Sequence, residues 1–129
     1  MKPDELMRKA RQAVVSAKAL HQIGDMDGAV NRAYYAMFDA ARAALQRSHA
    51  PVGLNVAKTH SGLIAAFGLH LIKTGLLPIE LGRTINRAEE LRLVADYIGE
   101  PIDAEQVRWA VEQAGNFVAA IDAAFPHED

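Results

Sequence analysis

The sequence predicts an all-α protein, folded as an antiparallel up-and-down bundle of four to five helices. Half of the residues are hydrophobic but only 6% are aromatic, and the excess lies in alanine and leucine, the strongest helix formers. Apolar residues recur at the helical period. Glycine and proline divide the chain into five helical stretches, none of which has the pattern of a strand. Since the chain has 129 residues, we expect residues 1–129 to form a single bundle domain.

The first two predicted helices are marked by their ends and by their apolar stripes. The first begins near Pro3, a residue suited to the first helical turn, and ends at Gly24. The second opens at Asp27, a good N-cap residue, and ends before Pro51. Their inward residues are Leu6, Ala10, Ala13, Ala17 and Leu20 in the first helix, and Val30, Tyr34, Met37, Phe38, Ala41 and Leu45 in the second.

The third and fourth predicted helices are separated by a turn with glycine and proline. The third runs from about residue 58 to residue 73 and closes at Gly75, and the fourth follows Pro78 and ends before Gly99. Their inward residues are Leu63, Ile64, Phe67 and Leu71 in the third helix, and Leu81, Ile85, Ala88 and Ala95 in the fourth.

The fifth predicted helix opens at Asp103, with Gln106 three residues later as in a capping box. Its inward residues are Val107, Ala110, Val111, Ala114, Phe117, Val118 and Ile121. Because the connections are short, we expect consecutive helices to run antiparallel. This arrangement puts the end of the second helix, the start of the third, the end of the fourth and the start of the fifth at one end of the bundle.

Composition excludes several classes of protein. The formal net charge is -2, so no overall basic field favours nucleic acid, and such a contact would need a local patch. The absence of cysteine excludes disulfides and thiolate metal sites, and no His-Glu-x-x-His pattern occurs, so we expect neither a metal nor a cofactor. No apolar run approaches the ~20 residues of a membrane span, and the first residues are too polar for a signal peptide. We therefore expect a cytoplasmic protein that does not contact membranes.

Two charged residues interrupt the apolar face of the fourth helix. At ~100° per residue, Arg92 falls close to the direction of Leu81, and Asp96 follows one turn later. A buried, unpaired guanidinium is very costly, so Arg92 needs a partner or a solvated cleft. The pair is either an ion pair that reaches out at the helix end or part of a polar site at the end of the bundle.

The antiparallel arrangement brings further polar residues to that end. His60 lies on the inward stripe of the third helix, where it is either a satisfied core histidine or part of a site. Guanidinium, imidazole and a helix N-terminus together suit phosphate binding or proton transfer in RNA cleavage. The candidate catalytic residues are Arg92, His60 and Asp96, and the candidate nucleotide- or RNA-binding residues are Arg42, Lys58, His49 and Tyr97.

Two aromatic residues lie off the core stripes and are candidates for an interface. Trp109 lies roughly opposite Val107 on the fifth helix, and Tyr35 lies beside the stripe of the second. Small symmetric bundles commonly form dimers with twofold symmetry. We therefore expect a homodimer that uses one of these two faces.

Three ordered segments resemble HEPN domains (higher eukaryotes and prokaryotes nucleotide-binding). They are NRAYYAMFDAARAAL at residues 31–45, KTHSGLIAAFG at residues 58–68 and KTGLLPIELGRTINRAEELRLVADY at residues 73–97. Together they are similar to one small bacterial and archaeal branch of the family, over most of the chain. The resemblance implies a bundle of four or five helices that is usually a homodimer. It also implies pairing with a minimal nucleotidyltransferase, often as a toxin–antitoxin pair.

The resemblance further implies a metal-independent RNase in many relatives, with a signature of Arg, four to six residues and then His, often followed by x-Tyr. In some pairs the partner silences the RNase by adenylylating that tyrosine. Here Arg92 matches the arginine and Tyr97 the tyrosine, but Ala95 stands where the histidine would be. Alanine cannot transfer a proton, and His60 is an alternative source of the imidazole. The spacing from Arg42 to His49 also fits the signature, but on the second helix.

These observations lead to three hypotheses about function. The first is a HEPN module that binds nucleotide or RNA and acts with a minimal nucleotidyltransferase in a toxin–antitoxin-like system. The second is an active metal-independent RNase toxin in which Arg92 works with His60 or His49. The third is a purely structural dimer in which the Arg92–Asp96 pair orders the end of a helix.

Overall fold

The computed structural model describes residues 1–53 and 58–126. Within those ranges the chain is all helical, as predicted, and contains no strand. The helices are α1 (Pro3–Gln22), α2 (Met26–Arg47), α3 (His60–Phe67), α4 (Ile79–Leu93) and α5 (Ala104–Ala124). Two single π-helical turns extend α3 and α4, at Gly68–Ile72 and Val94–Ile98. None of the described helices is both long and apolar enough to cross a bilayer.

Helix α2 lies at the centre of the fold and contacts the other four helices. Small side chains cover much of its surface and are fully buried, which lets neighbouring helices approach closely. They are Ala29, Ala33, Ala36, Ala40, Ala41, Ala43 and Ala44. The larger core side chains fill the spaces between the helices, and Phe67 of α3 packs on Phe117 of α5 with ring centroids 5.6 Å apart.

Side-chain caps fix where three helices begin. Asp103 caps α5, as predicted, by accepting a hydrogen bond of 2.7 Å from the Glu105 amide. The prediction that Asp27 caps α2 is wrong by two residues. Asp25 is the cap instead, because its carboxylate accepts from the free amide of Gly28 at 2.9 Å, and α2 begins at Met26. Thr59 caps α3 in the same way.

The expected meeting of the ends of the second and fourth helices is also wrong. Asp96, just beyond α4, bonds to Asn31 in the first turns of α2. His60, the first residue of α3, lies beside Tyr34 rather than beside Arg47, the last residue of α2. Residues 48–59 separate α2 from α3, so this connection is not short. The antiparallel rule does not hold across it, since the chain re-enters a helix about 20 Å back along α2.

Candidate functional site

Arg92 lies in the last turn of α4 and is 3% exposed. Its Nε donates to Oε2 of Glu89 at 3.1 Å, and its Nη2 donates to Oε1 of the same residue at 2.9 Å. Two parallel hydrogen bonds of this kind match the planar guanidinium to the planar carboxylate. Glu89 therefore holds the Arg92 side chain in one orientation.

The π turn after α4 brings a second carboxylate to the same guanidinium. Arg92 Nη1 donates to Oδ2 of Asp96 at 3.3 Å. The same oxygen accepts from Nδ2 of Asn31 at 3.0 Å, and Oδ1 of Asn31 accepts from Nε of Arg32 at 3.2 Å. A polar chain thus joins the end of α4 to the start of α2.

Three tyrosine rings surround the Arg92 guanidinium. Its Cζ atom lies 5.0 Å from the ring centroid of Tyr34, 5.9 Å from that of Tyr35 and 5.7 Å from that of Tyr97. These distances permit cation–π attraction, which is stronger where water is excluded. Tyr34 is fully buried, whereas Tyr97 is 74% exposed. The buried Tyr34 ring therefore packs on the guanidinium from the core side, and the exposed Tyr97 ring covers it on the solvent side.

His60 joins this group through the two tyrosines of α2. Its Nδ1 is hydrogen-bonded to the Tyr34 hydroxyl at 2.7 Å, and its Nε2 lies 3.5 Å from the Tyr35 hydroxyl. The imidazole also packs on Phe38, with centroids 4.8 Å apart. The Arg92 cluster is the name used below for Asn31, Tyr34, Tyr35, His60, Glu89, Arg92, Asp96 and Tyr97.

Burial and charge set the ionisation of two members of the Arg92 cluster. Burial, reinforced by the Glu89 carboxylate, raises the pKa of the Tyr34 phenol, so Tyr34 stays neutral. The hydrogen bonds that Arg92 donates to Glu89 outweigh burial and raise the pKa of Arg92, so Arg92 stays charged. One guanidinium faces two carboxylates, and its Nε, Nη1 and Nη2 all have partners. Because Arg92 is buried and three of its five N–H groups already bond to carboxylates, a phosphate could reach it directly only if a covering side chain moved away.

The structure brings three of the predicted site residues, His60, Asp96 and Tyr97, to Arg92. Arg42 and Lys58 are elsewhere and line a pocket of about 510 Å³ near the end of α2. His49 lies further on, in the turn that ends α2, with a φ of 57°. The expected convergence of all seven residues is therefore wrong, because it assumed that α2 and α4 end together.

The two predicted interface residues lie in different surroundings. Tyr35 is half-buried within the Arg92 cluster, where the Arg32 guanidinium lies 5.1 Å from its ring centroid. Trp109 is half-buried and lines a surface pocket between α4 and α5, with Arg87, Leu91, Glu105 and Gln106. The proposed dimer face stays a prediction.

Sequence reasoning missed Glu89, Asn31 and the polar role of Tyr34. Adjacent residues diverge on a helix, so the sequence alone indicates a solvent-facing position for both Glu89 and its neighbour Glu90. Only 17% of the Glu89 side chain is exposed, against 65% for Glu90, which pairs with Arg87. The available signal was spacing, since positions 89, 92 and 96 share one helix face. Within residues 1–53 and 58–126 no group of three or more acidic or histidine side chains could hold a metal ion.

Comparison with known proteins identifies the family. The family profile described as HEPN domain matches residues 3–124. A UPF0332 protein of Gloeobacter violaceus is 44% identical over 74% of this chain and 71% of its own length. A UPF0332 protein of Thermotoga maritima is 38% identical over 89% and 84%, respectively. A Methanocaldococcus jannaschii protein named "Putative toxin MJ0605" is 34% identical over 92% and 85%. The chain belongs to the HEPN domain family.

Proposed function

We propose that this HEPN protein is a toxin-type module that binds RNA or a nucleotide at the Arg92 cluster and acts with a minimal nucleotidyltransferase. Two relatives from Methanocaldococcus jannaschii carry toxin names, and they support the toxin part of the proposal. The observation that carries the binding part is the exposed Tyr97 ring, held over a buried guanidinium that two carboxylates fix in place.

An exposed aromatic ring next to fixed cations suits an unpaired nucleobase. Bases stack on tyrosine rings with about 1–3 kcal/mol per base, whatever their sequence. Tyr97 offers one face for stacking, while Arg92 beneath it limits the movement of the ring. Arg32 of α2 supplies a further cation, which donates one hydrogen bond, from Nε to Oδ1 of Asn31, and lies over the Tyr35 ring, while no described hydrogen bond uses its Nη groups. It is thus available to a phosphate group.

Fluorescence anisotropy with a labelled single-stranded RNA, AMP and ATP tests this proposal. Tyr97→Ala removes the stacking surface and is expected to weaken RNA binding about tenfold or more. The matched control Tyr97→Phe keeps the ring and should bind within about threefold of the wild type. If Tyr97→Ala binds like the wild type, or if the wild type binds none of these ligands, the proposed site is wrong.

A second candidate function is metal-independent RNA cleavage. One observation favours it: His60 is hydrogen-bonded to Tyr34, whose ring packs on Arg92, so an imidazole and a guanidinium lie within one cluster. His60 would transfer the proton that Ala95 cannot, and Arg92 would stabilise phosphate charge after releasing a carboxylate. Expression of wild type, His60→Gln and His49→Gln, with growth and RNA integrity followed, tests this role. Intact RNA in cells expressing the wild type contradicts it.

The partner and the dimer are tested separately. Co-expression with a minimal nucleotidyltransferase encoded beside the gene, followed by co-purification, is expected to recover a complex. Light scattering of the purified chain, with Trp109→Ala as the variant, tests the homodimer. A dimer that binds neither RNA nor nucleotide would favour the purely structural hypothesis.

A further inference from the structure

The outer face of α2 carries a cation at each end, with one aromatic ring and one buried carboxylate between them, and it is longer than one nucleotide. Arg32, Tyr35, Asp39 and Arg42 follow one another at spacings of three and four residues, so they share one side of the helix. Below, these four residues are called the α2 outer face. Its ends, Arg32 and Arg42, are about 15 Å apart at 1.5 Å per residue.

Ring contacts join the two ends of this face. The Arg32 guanidinium lies 5.1 Å from the Tyr35 centroid, and the Arg42 guanidinium lies 5.9 Å from the Phe38 centroid. Tyr35 and Phe38 are in edge-to-face contact at 6.0 Å. The same two rings both touch His60 of the Arg92 cluster. The α2 outer face is thus continuous with the site proposed above.

The charge along this face is positive in spite of Asp39. Three cations, Lys9 of α1 together with Arg32 and Arg42, act on this mostly buried carboxylate. Its contact with Arg42 is long, at 3.9 Å, so most of the donors of that guanidinium are not engaged by it. The pocket near the end of α2, which Arg42 lines, adds the cation of Lys58.

We propose that single-stranded RNA follows the α2 outer face, from Tyr97 to the pocket lined by Arg42 and Lys58, with its phosphates near Arg32, Arg42 and Lys58. This inference rests on the proposed RNA binding at the Arg92 cluster and defines the ligand as an oligonucleotide rather than a mononucleotide. At 3.4 Å per stacked nucleotide, the face accommodates about four nucleotides. It also gives a function to Arg42 and Lys58, which the structure separates from the Arg92 cluster.

The experiment compares a labelled dinucleotide with a labelled hexanucleotide RNA by fluorescence anisotropy over a range of salt concentrations. The variants are Arg42→Gln, Lys58→Gln and the double substitution. Each removed cation is expected to weaken hexamer binding about threefold to tenfold and to reduce the slope of log K against log salt by about 0.7. Dinucleotide binding should stay unchanged, since the dinucleotide does not reach the pocket.

Lys18→Gln is the matched control, because it removes one charge from the exposed surface of α1. Lys18 lies nine residues after Lys9 and so on the opposite side of that helix. The Lys18→Gln variant should leave hexamer affinity unchanged.

Wild-type hexamer affinity in the Arg42→Gln/Lys58→Gln protein overturns the inference but leaves the proposed function standing. Failure of the wild-type protein to bind either RNA overturns both.

Discussion

The Arg92 guanidinium and the Glu89 carboxylate meet through two parallel hydrogen bonds of 3.1 and 2.9 Å, three residues apart on α4. Both side chains are largely withdrawn from water. Taking a charge out of water costs several kcal/mol, which this geometry offsets only while both partners are present. The pair therefore holds the site in shape more than it adds stability.

Removing one partner of this pair should be costly. Glu89→Gln leaves the buried Arg92 with a neutral amide and one carboxylate, and we expect the free energy of unfolding to fall by about 2–4 kcal/mol. Glu90→Gln is the control, because Glu90 forms an exposed pair with Arg87 at the same spacing. It should cost less than about 0.5 kcal/mol. Urea denaturation measures both.

The double substitution Arg92→Met/Glu89→Leu checks the cause. It removes both charges, and we expect it to be less destabilised than the Glu89→Gln protein. If the double variant has a lower free energy of unfolding than the Glu89→Gln protein, the loss of stability comes from packing rather than from an unpaired charge.

Tyr34 and Tyr35 should contribute unequally to the anchoring of His60. The Tyr34 hydroxyl is buried and 2.7 Å from Nδ1, whereas the Tyr35 hydroxyl is 3.5 Å from Nε2. Tyr34→Phe leaves a ring nitrogen without its partner and should lower the free energy of unfolding by about 1–2 kcal/mol. Tyr35→Phe, the matched control, should lower it by less than about 0.5 kcal/mol. Equal effects in urea denaturation would contradict this ranking.

His49 is predicted to serve the end of α2 rather than catalysis. It is a non-glycine residue with a left-handed backbone, and the amides of His49 and Ala50 bond to Gln46 and Leu45. Gly24 occupies the corresponding place after α1. His49→Gly relieves the steric cost and should raise the free energy of unfolding by about 0.5–1 kcal/mol. RNA binding and any RNA cleavage should be unchanged. Loss of cleavage in a stable His49→Gly protein would make this histidine functional.

Asp39 should give the protein a pH-dependent stability. Burial raises the pKa of its carboxyl above the ordinary value of 3.8, although Lys9, Arg42 and Arg32 oppose this. The folded state then holds the proton more tightly than the unfolded state. Asp39 therefore stabilises the folded state at pH values below the ordinary pKa. This stabilisation is lost as the pH rises through the pKa that Asp39 has in the folded state.

The substitution Asp39→Asn removes that dependence. We expect a higher Tm than the wild type at pH 7 and a difference that shrinks towards pH 4, as the wild-type carboxyl becomes protonated. The variant should also bind RNA more tightly, because the α2 outer face loses its one carboxylate. A difference in Tm that does not change with pH would contradict the role given to Asp39.

The sequence predicted the helices better than their arrangement. The helical period and caps such as Asp103 depend on residues a few positions apart, so a short stretch of sequence is enough to predict them. The grouping of Arg92 with His60, Asp96 and Tyr97 was also predicted, from polar residues on apolar stripes and from the antiparallel course of the third and fourth helices. The position of Arg42 depended on where the chain returns after α2, and no local pattern in residues 48–59 indicates that.

Glu89 and Asn31 were missed for a related reason. Each looks like an ordinary surface residue until its partner on another turn or helix is known. Glu89 and Glu90 are chemically identical neighbours, and only the buried guanidinium distinguishes them. Nothing in the sequence of residues 94–98 signals a π turn either, since its wider hydrogen bonding depends on packing.

That π turn makes the length of the segment as important as its composition. The Gly99 amide bonds back to the carbonyl of Val94, five residues earlier, so the turn contains one residue more than an α-helical turn would. A one-residue deletion between Leu93 and Gly99 would restore regular helix and rotate every later side chain by about 100°. Point changes at Ile98, which is 60% exposed, preserve the count. The segment therefore tolerates substitutions at its surface but not deletions, because a residue lost before Tyr97 would turn its ring away from Arg92.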